Sequence, residues 1–137
     1  MDINRIFNSF TKNEDNIKED DVNLLVDFSE HPLYWIGYCN KLIINYDIFV
    51  GYFETRKAKT NDPQFLEELK EATYQKSWDY IKNINPENPF HMECVKLKSD
   101  PTLNNSLNIL LEYYLESEEY EKCALLNKIQ SIVKENI

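Results

Sequence analysis

Glycine is nearly absent from this chain: two residues in 137, Gly37 and Gly51, both isolated within one apolar run. A phosphate-cradling loop needs several glycines close together, so none of that kind is available. Sandwiches and barrels need frequent turns with positive-φ positions, and the residues that supply them are scarce. Histidine is equally sparse. His31 and His91 stand beside no serine or cysteine in a local pattern that marks a nucleophile and its base. Basic residues are in deficit, 15 Lys and Arg against 24 Asp and Glu, giving a net charge of −9. That balance opposes direct binding to nucleic-acid phosphates and to anionic membranes, where affinity comes from cationic side chains.

What is present points to helices. Hydrophobic residues make up 42% of the chain and aromatics 13%, enough for a packed core in a single domain of residues 1–137. The five prolines mostly precede helical patterns. Asp2 caps an expected first helix carrying Ile3, Ile6, Phe7 and Phe10. Residues 13–21 are polar and acidic, an expected linker or acidic first turn before Val22–Phe28. The strongest periodicity follows: Trp35, Ile36, Cys39, Leu42, Ile43, Tyr46, Phe49, Val50 and Phe53 form one stripe at 3.6 residues per turn. Leu33, Ile44, Ile48 and Tyr52 fall off the stripe, so this helix, near 32–56, is expected at the centre of the domain.

The β-branched and aromatic content of Leu42 to Phe53 leaves a competing arrangement, an α+β fold with a small β-hairpin near 42–53. A membrane span over Leu33–Phe53 is opposed by Asn40, Lys41, Asn45 and Asp47. Asp or Lys at a bilayer centre costs about 2.5–3.5 kcal/mol each.

Asp62-Pro63 opens the next helix, with Phe65, Leu66, Leu69, Ala72, Thr73, Tyr80, Ile81 and Ile84 as its expected buried face. Asn85-Pro86-Glu87-Asn88-Pro89 stops it. Phe90–Lys98 fits a strand, a turn of helix or an ordered loop. Residues 100–137 then read as a helical hairpin. Leu103, Leu107, Leu110, Leu111 and Tyr114 mark its first helix; Tyr120, Cys123, Ala124, Leu126 and Ile129 begin its second. Ser117 is expected to cap that second helix, with Glu118, Glu119 and Glu121 in its first turn. The two Asp-Pro openings, followed by Phe65 and Leu69 or by Leu103 and Leu107, are alike, but share too little else to define a repeat. The expected fold is therefore all-α, a compact bundle of five or six helices with a C-terminal hairpin.

Candidate chemistry is thin. His91, Glu93 and Cys94, with Cys39, have a spacing that could hold a metal but lack the paired clusters of a zinc site. Glu112, Glu116, Glu118, Glu119 and Glu121 crowd a surface turn, where carboxylates serve the helix dipole better than acid–base catalysis. Arg56-Lys57-Ala58-Lys59 is too short for nucleic-acid binding. No catalytic, cofactor or metal residue is assigned, and no enzyme activity is expected. Cys39, Cys94 and Cys123 are an odd set within apolar patterns, and Met1–Arg5 shows no secretory pattern, so free thiols in the cytoplasm are expected. Trp35, Trp78, Tyr34, Tyr38, Tyr52, Tyr74, Tyr113 and Tyr114 either close the core or anchor an interface.

Glu119-Tyr120-Glu121-Lys122-Cys123-Ala124-Leu125-Leu126, with Leu107, Leu110 and Tyr114 before it, resembles two helical hairpins. One is the tetratricopeptide repeat. The other is the UVR hairpin of bacterial excision-repair subunits and some Clp-protease adaptors. Both are protein–protein interaction modules, and the resemblance implies that role here. The expected function is an acidic adaptor, regulator or complex subunit, binding through Tyr113, Tyr114, Glu118, Glu119, Tyr120 and Leu126, with the acids steering a basic partner. The alternative is an acidic inhibitor, of the kind phage and mobile elements encode, that blocks a basic nucleic-acid-binding site on an enzyme.

Overall fold

The computed structural model describes residues 29–56 and 63–137. The expected first helix, the acidic 13–21 segment, Val22–Phe28 and Lys57-Ala58-Lys59 lie outside the described residues. The chain divides into two units, Met1–His31 and Pro32–Ile137. Of the first, a turn at Ser29 and Glu30 is described. Among the described residues the second contains five helices: α1 (Pro32–Arg56), α2 (Pro63–Ile81), α3 (Pro89–Leu97), α4 (Pro101–Glu116) and α5 (Tyr120–Glu135). No strand occurs among the described residues. The hairpin alternative for 42–53 is thereby overturned: these residues lie inside the single 25-residue helix α1. A continuous helical stripe outweighs local β-propensity there, as tertiary packing commonly does.

The first four helices begin with chemistry that fits their position. Proline opens α1 to α4, where a missing N–H removes no intrahelical bond. Asp100 caps α4, its Oδ1 accepting from the Leu103 N–H at 2.7 Å. Asn88 does the same for α3, its Oδ1 accepting from Phe90 at 2.9 Å and His91 at 3.3 Å. Asn88-Pro89 is thus a helix start as well as the end of the preceding break, and Phe90–Lys98 is helical up to Leu97. The intervening loop is tied locally. Asn85 Oδ1 accepts from the Glu87 N–H at 2.9 Å, and the Asn85 N–H donates to His91 Nδ1 at 2.9 Å.

α1 packs against α2, α3 and α4, while α5 packs against α4 and α3. The ring pairs Tyr38–Tyr80 and Tyr46–Tyr74, at 5.4 and 5.5 Å, make α1 and α2 antiparallel. Ile36, Cys39 and Ile43 from α1 meet Leu103, Leu107, Leu110 and Tyr114 from α4 and Cys123, Leu126, Ile129 and Val133 from α5 in one core cluster. These positions recur every three or four residues, so each helix contributes one face. Fully burying an aliphatic side chain of this size stabilises the fold by about 1.5–3 kcal/mol. Two buried serines have partners: Ser106 Oγ donates to Asn40 Oδ1, and Ser77 Oγ to the Thr73 carbonyl at 2.9 Å.

Burial along α1 stops earlier than its stripe suggests. Phe49 is exposed, together with Ile48 (66%) and Tyr52. At about 1.5 Å per residue α1 is roughly 37 Å long and the 16-residue α4 and α5 roughly 24 Å, so α1 outlasts them. On α2 the buried positions are Tyr74, Ser77 and Ile81, whereas Phe65 is 47% exposed and Ala72 faces solvent. Phe65 and Leu103 are therefore not structural equivalents, and the two Asp-Pro openings do not mark repeated units.

Candidate functional site

The sequence of α2 places Glu68, Glu71 and Gln75 one helical turn apart, on the side away from Ile81. Opposite them comes the end of α4, which carries Tyr113 and Tyr114, and then the turn into α5. Together these elements enclose a groove of about 540 Å³ lined by Glu68, Glu71, Ala72, Gln75, Tyr113, Tyr114 and Glu119. A smaller hollow of about 180 Å³ adjoins it, bounded by Lys70, Tyr74, Ile109, Glu112, Tyr113 and Glu116. Tyr113 separates the two.

Tyr113 and Tyr114 belong to a chain of aromatic rings that continues into the bundle. Tyr46–Tyr74, Tyr74–Tyr113, Tyr113–Tyr114 and Trp78–Tyr114 have centroids 5.5, 4.8, 5.1 and 5.9 Å apart, all edge to face. Such pairs contribute about 0.5–1.5 kcal/mol beyond their burial. The Tyr114 hydroxyl donates to the Tyr74 carbonyl at 3.2 Å, pinning α4 to α2. Two lysines rest on these rings. Lys70 Nζ lies 5.9 Å from the Tyr74 centroid and 5.7 Å from that of Tyr113. Lys122 Nζ lies 4.4 Å from Tyr114 and 5.4 Å from Trp78.

The turn orients Glu119. The Glu119 N–H donates to the Tyr114 carbonyl at 2.9 Å and the Glu118 N–H to that of Leu115 at 3.1 Å. This is a Schellman ending for α4, with Glu118 at φ 60° in the left-handed position. Ser117 therefore closes α4 and does not start α5; its hydroxyl lies 3.3 Å from the Tyr114 carbonyl and 3.0 Å from Glu119 Oε2. The cap of α5 is Glu119, whose side chain makes no capping bond. It turns instead to Lys122, at 3.1 Å. The Lys122 ammonium and the Ser117 hydroxyl hold its carboxyl below the usual carboxylate range. Burial, then Glu71, Glu67 and Glu119, push the Tyr113 phenol up, as expected for a ring among carboxylates. Tyr114 and Tyr74 are pushed well above their ordinary values, mainly by burial.

The six expected partner-binding residues separate. Tyr113 and Glu119 line the groove. Glu118 is exposed at the turn, and Tyr120 is 63% exposed just beyond it. Tyr114 also lines the groove but is only 2% exposed, and Leu126 is fully buried (0%); both belong to the core cluster. Glu68, Glu71 and Gln75 were not anticipated. Their turn-by-turn spacing was the available signal, but α2 alone does not make a groove.

Elsewhere, His91 binds the Asn85 N–H and sets its ring 5.6 Å from Trp35, a structural role. Cys39, Cys94 and Cys123 are buried free thiols, and burial pushes Cys39 up to about 12. Among the described residues no three His, Cys, Asp or Glu side chains are placed to hold a metal ion. No helix among them is long and apolar enough to cross a membrane. No protein-family model, curated protein or solved structure matches the chain.

Proposed function

We propose that the Pro32–Ile137 bundle is a protein-interaction domain, an adaptor, regulator or complex subunit, that docks a partner with a basic surface. The observation that carries this reading is the groove itself, where Glu68, Glu71 and Glu119 surround an aromatic wall at Tyr113. Acids at the rim steer a cationic surface, and a desolvated aromatic at the centre supplies the anchoring contact. The net charge of −9 acts in the same direction. The likeness of the hairpin to tetratricopeptide and UVR hairpins supports a binding role.

The test is affinity capture from host extract with the full chain as bait, identifying bound protein by mass. Wild type is compared with a Glu71→Lys, Glu119→Lys double variant whose helical spectrum is unchanged. The reading expects a partner with a basic surface whose capture is lost in the variant. Equal capture by both would contradict it. A partner displaced by DNA would identify the inhibitor form of the same role, in which the carboxylates occupy a nucleic-acid site.

A further inference from the structure

Resting on that reading, we infer that the groove seats an arginine of the partner, with its guanidinium plane against Tyr113 and its N–H groups directed at Glu71 and Glu68. Three observations converge. First, the site is concave and has an aromatic wall, so it offers a surface to stack on as well as charge. Second, these rings already hold cations: Lys70 lies over Tyr113 from the smaller hollow, and Lys122 lies over Tyr114 at 4.4 Å. With Lys70 lodged in the smaller hollow, the larger groove is the space left for an outside cation.

Third, two of the groove's three carboxylates have no ion pair among the described residues. Lys122 pairs with Glu119 at 3.1 Å, which leaves Glu68 and Glu71. Glu68 accepts a 3.3 Å hydrogen bond from Gln64.

Arginine suits this arrangement better than lysine for a geometric reason. Its planar guanidinium stacks on a ring and still points several donors outward in the plane, whereas an ammonium concentrates three donors at one point. Two carboxylates one turn apart on α2 beside a tyrosine can use both properties together.

The test is a titration of the isotope-labelled full chain at low ionic strength, followed by nuclear magnetic resonance. The probes are three acetylated and amidated hexapeptides of alternating glycine with arginine, lysine or citrulline. Citrulline keeps the shape and loses the charge. The arginine peptide is expected to shift the signals of Tyr113, Glu71 and Gln75, with the lysine peptide binding severalfold more weakly and citrulline not at all. A Glu68→Gln, Glu71→Gln variant is expected to weaken arginine binding about 3- to 10-fold, consistent with charged contacts at a partly exposed site. Tyr113→Phe, which keeps the ring face, retains binding, and Tyr113→Leu loses it.

Unmoved Tyr113 and Glu71 signals, or equal binding of the lysine and arginine peptides, would overturn the inference. The two claims fail separately. Capture of a basic partner that Glu71→Lys, Glu119→Lys abolishes but Glu68→Gln, Glu71→Gln leaves intact refutes the arginine seat alone. Peptide binding alongside capture that ignores groove charge refutes the proposed role.

Discussion

Glycine in place of Glu118 changes one backbone position and nothing else in the core. Glu118 is the described non-glycine residue with positive φ, at 60°. The left-handed conformation costs an L-residue roughly 1–2 kcal/mol, because Cβ crowds the following carbonyl. Glycine removes that cost but gains freedom in the unfolded chain, which returns about 0.4–1 kcal/mol. The net expectation is stabilisation by about 0.5–1 kcal/mol. For a unit of this size that raises Tm by about 3–6 °C. Part of the change could come from charge, since Glu116, Glu119 and Glu121 surround the site. Glu118→Ala separates the two causes, because alanine loses the carboxylate and keeps the strain. Denaturant unfolding followed by helical circular dichroism should place alanine near wild type and glycine above both. A glycine variant less stable than alanine would refute the left-handed turn and the Schellman geometry that sets Glu119 beside the groove.

Truncation should separate core from surface within the hairpin. Leu126→Ala is expected to cost about 2–5 kcal/mol and Tyr120→Ala within about 0.5 kcal/mol, measured by denaturant midpoints. Along α1, Ile43→Ala should destabilise more than Phe49→Ala despite the smaller side chain, since Ile43 is buried and Phe49 exposed. The tyrosines set an alkaline limit. Tyr74 and Tyr114 have folded-state values raised above the unfolded value of about 10, chiefly by burial. Above that pH the unfolded chain alone loses those protons, so stability is complete below about pH 10 and falls as pH rises. Unfolding midpoints between about pH 8 and 11 should show this loss, and Tyr114→Phe should make the decline shallower while costing about 1 kcal/mol at neutral pH for the bond to Tyr74.

Much of the bundle was legible because its signals are local. Pro32, Pro63 and Asp100-Pro101 mark helix starts, and the apolar spacing of α4 and α5 names their buried faces correctly at Leu103, Leu107, Leu110, Cys123, Leu126 and Ile129. α3 was ambiguous because Asn88-Pro89 both ends one element and starts another. The groove was harder to read for a different reason. Tyr113 and Tyr114 are adjacent in sequence yet about 100° apart around the helix, so Tyr113 stands between two hollows while Tyr114 is buried in the core and shows only an edge to the groove. Which is which depends on where α1 and α2 pack. The acids of α2 likewise gain meaning only when the end of α4 lies across from them. The exposed end of α1 was illegible because it depends on the relative lengths of helices, a tertiary property.

The central claim is that a partner docks on the α2 and α4 groove. Site-specific photo-crosslinking tests it most directly, with the crosslinking residue placed at Gln75 inside the groove or at Lys128 on the exposed side of α5. The account predicts that the captured partner crosslinks through position 75 and not through position 128, and that Glu71→Lys abolishes the crosslink. Crosslinking through position 128 with none at 75 would contradict it.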